Sequence, residues 1–301
     1  MSFIRRIIRP NSFLIKRRKY ILTFLNGFLL ACLFYFYIER QYENNIFTSL
    51  AAYIQNSVST SDSSPASIED SLIVKSVHLV HSLGERRMPV FGQYPIEGVK
   101  ANFIQPVTLD LMTAQGACGS HAYVLGRLLQ ELNMEVRFPQ MTVEGRSAGH
   151  IVVEAKTSHG WVALDPLSDV FFRRQDGRLA AFNDVKNNWN YYQQQLPPDY
   201  DMSYRYEGVR YTNWDKIPVI MPLIKNIMYW TMGKEKTDSY SLRSLGLKKY
   251  NLFFNITLGV YLLVCLFTIN LVIKARRKAA FTNANLFSTS NSAAVPAGPT
   301  A

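Results

Sequence analysis

The sequence GACGSHAYVLGRLLQELN spans residues 116–133 and carries apolar side chains at helical spacing. Intervals of three, four and three residues separate Ala122, Leu125, Leu129 and Leu132, which predicts an amphipathic helix. Cys118 precedes Ala122 by four residues and therefore belongs to the buried face, at the N-terminal end of the helix. Backbone N–H groups and the helix dipole stabilise a thiolate at such a position, so the thiol pKa is expected to be lowered.

Two consecutive strands are predicted downstream, at residues 149–156 and 160–166. One face of this pair is apolar and consists of Ile151, Val153, Ala155, Val162 and Leu164. His150 and Asp165 belong to the other face. A hairpin turn of even length around residues 157–160 brings these two side chains within reach, whereas an odd loop without a bulge would separate them. The apolar face is expected to pack on the Cys118 helix or on the core behind it.

A thiol, an imidazole and a carboxylate in this order are the parts of a cysteine nucleophile with its base and its orienting acid. Cys32 and Cys265 lie in apolar runs, where cysteine acts as a small hydrophobe. Cys118 then has no disulfide partner, and a buried, inert cysteine is the alternative to a catalytic one. No Cys or third His is spaced to complete a metal site, so we expect neither a metal nor a cofactor.

The segments 116–119, 123–133, 149–150 and 160–166 together resemble the transglutaminase-like superfamily, over about residues 110–170. The resemblance implies an α+β, papain-like core in which Cys118 is the nucleophile, His150 the base and Asp165 the orienting acid. It implies acyl transfer through a thioester, or hydrolysis, with a peptide, protein or cell-wall amide as substrate.

Two residues near the nucleophile need separate interpretation. Animal transglutaminases use an indole to help hold the oxyanion, but no Trp precedes Trp161 in this chain. Gln115 is the candidate oxyanion donor in its place, beside the backbone N–H of Cys118. Packing of Gln115 within its loop is an equally good interpretation. His121 is expected on the helix surface rather than as a second base.

The net charge of +11 lies entirely at the two ends of the chain. Residues 1–19 and 274–301 contain seven and four basic residues and no acid, while residues 39–250 contain 22 basic and 22 acidic residues. Because the middle region is neutral, nucleic acid is excluded as its partner.

Each basic end adjoins an apolar run without charge, at residues 20–38 and 251–273. Each run is long enough to span a hydrocarbon layer of about 30 Å. The flanking positive charge predicts two spans in the lipid bilayer, with both termini cytoplasmic and residues 39–250 periplasmic or extracellular. A cleaved signal peptide and a buried core helix are the respective alternatives for the two runs.

The remaining boundaries follow from composition. Serine is abundant after the first span, which favours a flexible tether, and an apolar stretch with Tyr229 and Trp230 favours a helix in the membrane interface, or else a piece of the core. The predicted segments are a basic cytoplasmic tail at 1–19, a Ser-rich tether at 39–67, a transglutaminase-like domain at 68–216, a membrane-proximal amphipathic segment at 217–250 and a disordered cytoplasmic tail at 274–301.

The sequence thus predicts a membrane-anchored cysteine acyltransferase, peptidase or amidase. The alternative is a catalytically silent scaffold domain in a cell-envelope or surface-polysaccharide assembly, possible because a fold alone does not determine function. An intact Cys-His-Asp set argues against that alternative, and a partner complex in the envelope fits either function.

Overall fold

A computed structural model describes residues 12–58 and 65–292 of the chain. Its described residues divide into two compact units, the first made of those before Glu39 and after Tyr250 and the second of those from Glu39 to Tyr250. The fold is α+β. Its α-helices are α1 (Ser12–Ser57), α2 (Pro65–Glu85), α3 (Met88–Gln93), α4 (Val107–Thr113), α5 (Cys118–Glu131), α6 (Phe182–Asn187), α7 (Trp189–Tyr192), α8 (Ile220–Met232), α9 (Lys234–Asp238) and α10 (Lys249–Ser292). The strands are β1 (Val136–Arg137), β2 (Gln140–Val143), β3 (Arg146–Ile151), β4 (Val153–Thr157), β5 (Gly160–Asp165), β6 (Val170–Phe171) and β7 (Gly208–Arg210).

The first unit consists of the apolar parts of α1 and α10. Both helices are long and apolar enough to cross a bilayer, with mean hydropathy of 2.0 and 2.4 in their most apolar windows. They pack antiparallel, since Asn26 donates to Thr268 and the ring of Phe36 lies 5.6 Å from that of Phe253. These features support a membrane protein.

The structure corrects the predicted tether at residues 39–67. Helix α1 continues past the span to Ser57, and α2 already begins at Pro65, while residues 59–64 lie outside the described part of the chain. Phe47, Ala51 and Ile54 of α1 are buried in the core of the second unit. Their spacing of four and three residues gives α1 an apolar face, so burial keeps this segment helical.

The C-terminal segment also differs from the prediction. Helix α10 runs to Ser292, well past the end of the second apolar run at Ile273. Residues 274–280 are all Lys, Arg or Ala, which are strong helix formers, so the helix does not end with the span. Of the two predicted tails, residues 1–11 and 293–301 lie outside the described residues.

The second unit contains two antiparallel sheets. One has the strand order β1-β4-β5-β6 and the other the order β3-β2-β7. Strands β4 and β5 form the predicted hairpin with an even turn, in which Thr157 pairs with Gly160 and Val153 with Leu164. The predicted apolar face of the hairpin packs on the predicted apolar face of α5, in a core that also includes α2.

The predicted strand at 149–156 is divided between the two sheets. His150 belongs to β3, which pairs with β2, whereas Val153 begins β4, which pairs with β1 and β5. Val152, at the junction, is buried in a second core on the other side of the hairpin, with Ala163 and Phe172. His150 therefore reaches Asp165 across the junction of two sheets rather than along one hairpin.

Helix α8 lies in the segment predicted to be amphipathic and membrane-proximal. None of its residues is buried. Its most exposed apolar side chains recur at spacings of three, four and three residues and are Ile220, Leu223, Ile227 and Trp230. Trp230 is 89% exposed. The helix thus presents an uncovered apolar stripe.

Candidate active site

The nucleophile candidate follows a tight turn between two helices. Helix α4 ends at Thr113, and α5 begins at Cys118 itself, which is half-buried. Ala117 precedes it with φ 46° and ψ −119°, a conformation that only glycine adopts without strain, and provides no side-chain cap. Because α5 begins at Cys118, the positive end of its dipole favours a negative charge there.

A polar network fixes this turn. Asp110 of α4 accepts a hydrogen bond of 2.6 Å from Ser120 Oγ, and that oxygen accepts a hydrogen bond of 2.9 Å from the Gly116 N–H. Burial raises the pKa of Asp110, although the hydrogen bond from Ser120 opposes this effect. The network joins α4, the turn and α5 around the nucleophile.

His150 and Asp165 form a buried pair. His150 Nε2 lies 2.7 Å from Asp165 Oδ2, and both side chains are almost fully buried. The other oxygen of Asp165 accepts a hydrogen bond of 3.2 Å from the Leu167 N–H, which fixes the carboxylate. Because Nε2 is directed to Asp165, Nδ1 is the ring nitrogen left to exchange a proton with another group.

That group is the thiol of Cys118. Sγ of Cys118 lies 3.8 Å from the carbonyl oxygen of Gly149, the residue before His150, and His150 Nδ1 is buried without a nitrogen or oxygen partner. Gly149, whose carbonyl oxygen contacts Sγ, has φ 77°, a backbone conformation that favours glycine. The structure therefore brings together Cys118, His150 and Asp165.

Cys118 and His150 shift each other's pKa. Burial alone would raise the pKa of Cys118, but hydrogen bonds from His150 and the Ile151 N–H and the charge of His150 outweigh it and lower the pKa. Burial alone would lower the pKa of His150, but hydrogen bonds to Asp165 and Cys118 and their charges raise it to about 9. Both directions favour a thiolate beside an imidazolium, which is a form that can attack a carbonyl carbon and then donate a proton.

Tyr204 is a further residue of the site, which no sequence pattern indicated. Its ring stacks on the imidazole of His150 with 4.5 Å between centroids and 18° between planes. This stacking covers one face of the His150 imidazole. Tyr204 lies in an irregular, Tyr-rich stretch between α7 and β7, where no periodicity signals a role.

The two remaining predicted neighbours of Cys118 have different environments. Gln115 is exposed, and its backbone N–H donates 3.3 Å to Thr113 Oγ1, so the oxyanion role of its side chain stays a prediction. His121 is buried, contrary to expectation, and Nδ1 contacts the Ala117 carbonyl at 2.9 Å. Gly84 of α2 permits this burial, because a Cβ there would approach His121 to 2.0 Å.

Among the described residues, no three His, Cys, Asp or Glu side chains lie close enough together to hold a metal ion. Comparisons of the chain with protein-family models, with curated proteins and with solved structures found no match.

Proposed function

We propose that the protein is a membrane-anchored cysteine enzyme that cleaves an amide or peptide bond through a thioester intermediate. The observation that carries the proposal is the buried His150–Asp165 contact of 2.7 Å, with Cys118 next to His150 at the start of α5. Two ionisable groups buried side by side stabilise a fold poorly. Such buried ionisable pairs are typical of catalytic sites, and a base beside a nucleophile accounts for this one.

In the proposed reaction, Cys118 Sγ attacks the carbonyl carbon of the substrate. The developing oxyanion accepts hydrogen bonds from N–H groups at the start of α5, with Gln115 as a further candidate donor. His150 Nδ1–H protonates the leaving amine as the C–N bond breaks, which leaves a thioester on Cys118 and a neutral imidazole.

The thioester is then resolved. His150 Nδ1 takes a proton from water or from an acceptor amine, whose oxygen or nitrogen attacks the thioester carbon. The C–S bond breaks, and the thiolate–imidazolium pair is restored. Asp165 keeps Nε2 protonated throughout, which leaves Nδ1 as the nitrogen that exchanges protons. Hydrolysis and transamidation differ only in the acceptor.

A papain-like core of the transglutaminase-like type is part of the proposal. Three features support it: a nucleophile at the first position of a helix, an antiparallel sheet packed on that helix, and a His–Asp contact between strands β3 and β5 of the two sheets. The assignment of His150 Nδ1 to sulfur and Nε2 to the carboxylate fits the same arrangement.

We also propose that the site faces the periplasmic or extracellular side, with both termini in the cytoplasm. The antiparallel packing of the spans supports placing both termini on one side, and the basic residues beyond each span support the cytoplasm. The uncovered apolar stripe of α8 supports its placement in the membrane interface.

The test is to trap the acyl group. Full-length protein is isolated from its own membranes, quenched in acid and digested. The mass of the peptide that contains Cys118 is then measured by mass spectrometry before and after treatment with hydroxylamine. We expect a hydroxylamine-sensitive adduct on Cys118. Cys118→Ala should abolish it, while Cys265→Ala, in the second span, should leave it unchanged.

The same variants separate an enzyme from a scaffold. In cells lacking the native protein, Cys118→Ala should fail to restore function at normal protein level, and Cys118→Ser should be almost as defective because a hydroxyl is a weaker nucleophile. Full function of Cys118→Ala without any adduct on the native protein would reject catalysis in favour of the scaffold.

A further inference from the structure

His121 lies three residues after the nucleophile on α5 and has no part in the reaction described above. Its side chain is only 2% exposed. Nδ1 lies 2.9 Å from the carbonyl oxygen of Ala117, whereas Nε2 is buried without a hydrogen-bond partner. Because an unpaired buried nitrogen lowers stability, the contact at Nδ1 is the feature of this histidine that calls for a functional explanation.

The contact with Ala117 fixes the tautomer of His121. A carbonyl oxygen only accepts hydrogen bonds, so Nδ1 carries the hydrogen and donates it. Burial lowers the pKa of His121, although the hydrogen bond to Ala117 opposes this effect. The ring is therefore neutral near pH 7. His121 acts as a hydrogen-bond donor at one fixed point and not as a second base for Cys118.

The carbonyl that His121 holds belongs to the same peptide group as the Cys118 N–H. This carbonyl accepts a second hydrogen bond, of 3.1 Å, from the backbone N–H of His121. In a planar trans peptide the C=O and N–H bonds point in opposite directions, so fixing one fixes the other. Because the carbonyl points into α5, the Cys118 N–H points out of the N-terminal end of the helix.

The backbone of Ala117 does not favour this arrangement by itself. Its φ of 46° and ψ of −119° are strained for an alanine, and such a conformation persists where surrounding contacts hold it. The imidazole can provide that contact because it has little room to move. A Cβ added at Gly84 of α2 would lie 2.0 Å from His121 Nε2, so the two helices pack closely at the ring.

The neighbouring N–H groups are already used within the chain. Those of Gly119 and His121 donate to the carbonyls of Gly116 and Ala117. The Cys118 N–H lies on the same residue as Sγ, within reach of an oxygen on the carbon that Sγ attacks. A donor that is aimed in advance at a developing oxyanion stabilises the transition state without reorganisation.

We propose that His121 is a positioning residue, which aims the Cys118 N–H at the oxyanion through its hydrogen bond to the Ala117 carbonyl. The inference rests on the proposed function, because only a reaction that forms an oxyanion needs this donor. Reactions of the same thiol that form no oxyanion should not depend on His121.

The experiment compares two reactions of Cys118 in full-length protein that also carries Cys32→Ala and Cys265→Ala. Sγ attacks the carbonyl carbon of p-nitrophenyl acetate, and the resulting oxyanion intermediate expels p-nitrophenolate to leave an acetyl thioester. With iodoacetamide, Sγ displaces iodide directly and no oxyanion forms. The ratio of the two rate constants therefore measures oxyanion stabilisation without the natural substrate. The Tm of each variant shows that it is folded.

His121→Leu removes the donor and keeps a large apolar side chain in its place. We expect acetylation to slow at least about tenfold, while alkylation changes by less than about twofold. Gly84→Ala should give the same selective loss, because its Cβ displaces the intact imidazole. Gly92→Ala is the matched control, since an added Cβ there meets nothing within 4 Å, and it should change neither rate.

His121→Asn should restore most of the acetylation rate, because its amide N–H can replace Nδ1–H. Native acetylation rates in both His121→Leu and Gly84→Ala would overturn the positioning role. So would an equal loss of acetylation and alkylation, which would place the effect on the thiol. A different outcome concerns the proposed function itself. If the protein with His121 intact has a rate ratio no higher than that of free cysteine, the proposed reaction fails and this inference fails with it.

Discussion

Glu43 provides a quantitative test of how α1 is built into the second unit. Its side chain is only 3% exposed, and Oε2 has no hydrogen-bond partner. Burial raises its pKa from 4.5 to about 7, although the charges of Arg127 and Lys249 oppose the increase. Arg127 belongs to the nucleophile helix α5, donates to Asn44 at 3.0 Å and pairs with Glu131. Glu43 therefore lies where α1 meets α5.

The sign of the pH effect follows from the raised pKa. The folded state holds the Glu43 proton more tightly than the unfolded state. Ionisation of this carboxyl therefore does not lower the free energy of unfolding below about pH 4.5 and lowers it most above about pH 7. The shift corresponds to about 3 kcal/mol of unfolding free energy. For a unit of this size, that equals roughly 6–12 °C in Tm.

Glu43→Gln replaces the acid with a neutral group of the same shape. We expect the Tm of the variant minus the Tm of the native protein to increase by roughly 6–12 °C from pH 4.5 to pH 8. The free-energy cost of burying the amide does not depend on pH, so it cancels when the two pH values are compared. Full-length protein in detergent is unfolded by heating while tryptophan fluorescence is recorded. Glu39→Gln, one turn earlier on α1, is the matched control for removing an acid. A Tm difference independent of pH would refute the reasoning.

Further predictions concern the candidate active site. Asp165→Asn should leave Tm nearly unchanged but lower kcat by roughly two to four orders of magnitude, because the amide no longer holds the imidazole in the tautomer that is protonated at Nε2. An unaffected kcat would contradict this role. Tyr204→Ala should lower kcat/KM about fivefold by exposing the covered face of the His150 imidazole, whereas Tyr204→Phe, which keeps the stacked ring, should not; equal loss in both would point to the hydroxyl instead. Ala117→Gly should raise the unfolding free energy by about 1 kcal/mol in chemical denaturation, since glycine adopts φ 46° without strain, and a decrease would show that the turn is unstrained.

Local patterns predicted the parts of the fold that depend on one element and its nearest neighbour. The spacing of Ala122, Leu125 and Leu129 gave the buried face of α5, and alternation gave the β4–β5 hairpin and its even turn. The apolar runs identified the two long helices. In α5 and in the hairpin, the buried side chains repeat with the period of the element that carries them, whereas length and apolar composition alone identified the two long helices.

Features that depend on distant pairing were not predictable in this way. Ile151, Val153 and Ala155 keep the spacing of a single strand face across Val152, so the pattern cannot show that β3 leaves one sheet and β4 joins another. Tyr204 reaches His150 from an irregular stretch more than 50 residues away in sequence. The extension of α1 was different, because Phe47, Ala51 and Ile54 have helical spacing, but the serines that follow suggested a flexible segment.

The most direct test of the central claim is the pH dependence of Cys118 alkylation. Full-length protein with Cys32→Ala and Cys265→Ala, which leaves Cys118 as its only thiol, is treated with iodoacetamide between pH 5 and pH 10. The lowered thiol pKa and the His150 pKa of about 9 predict rapid alkylation well below the ordinary thiol midpoint of about 8.5, and a return to that midpoint in His150→Ala. A midpoint near 8.5 in both proteins would contradict the claim that Cys118 and His150 form a nucleophilic pair.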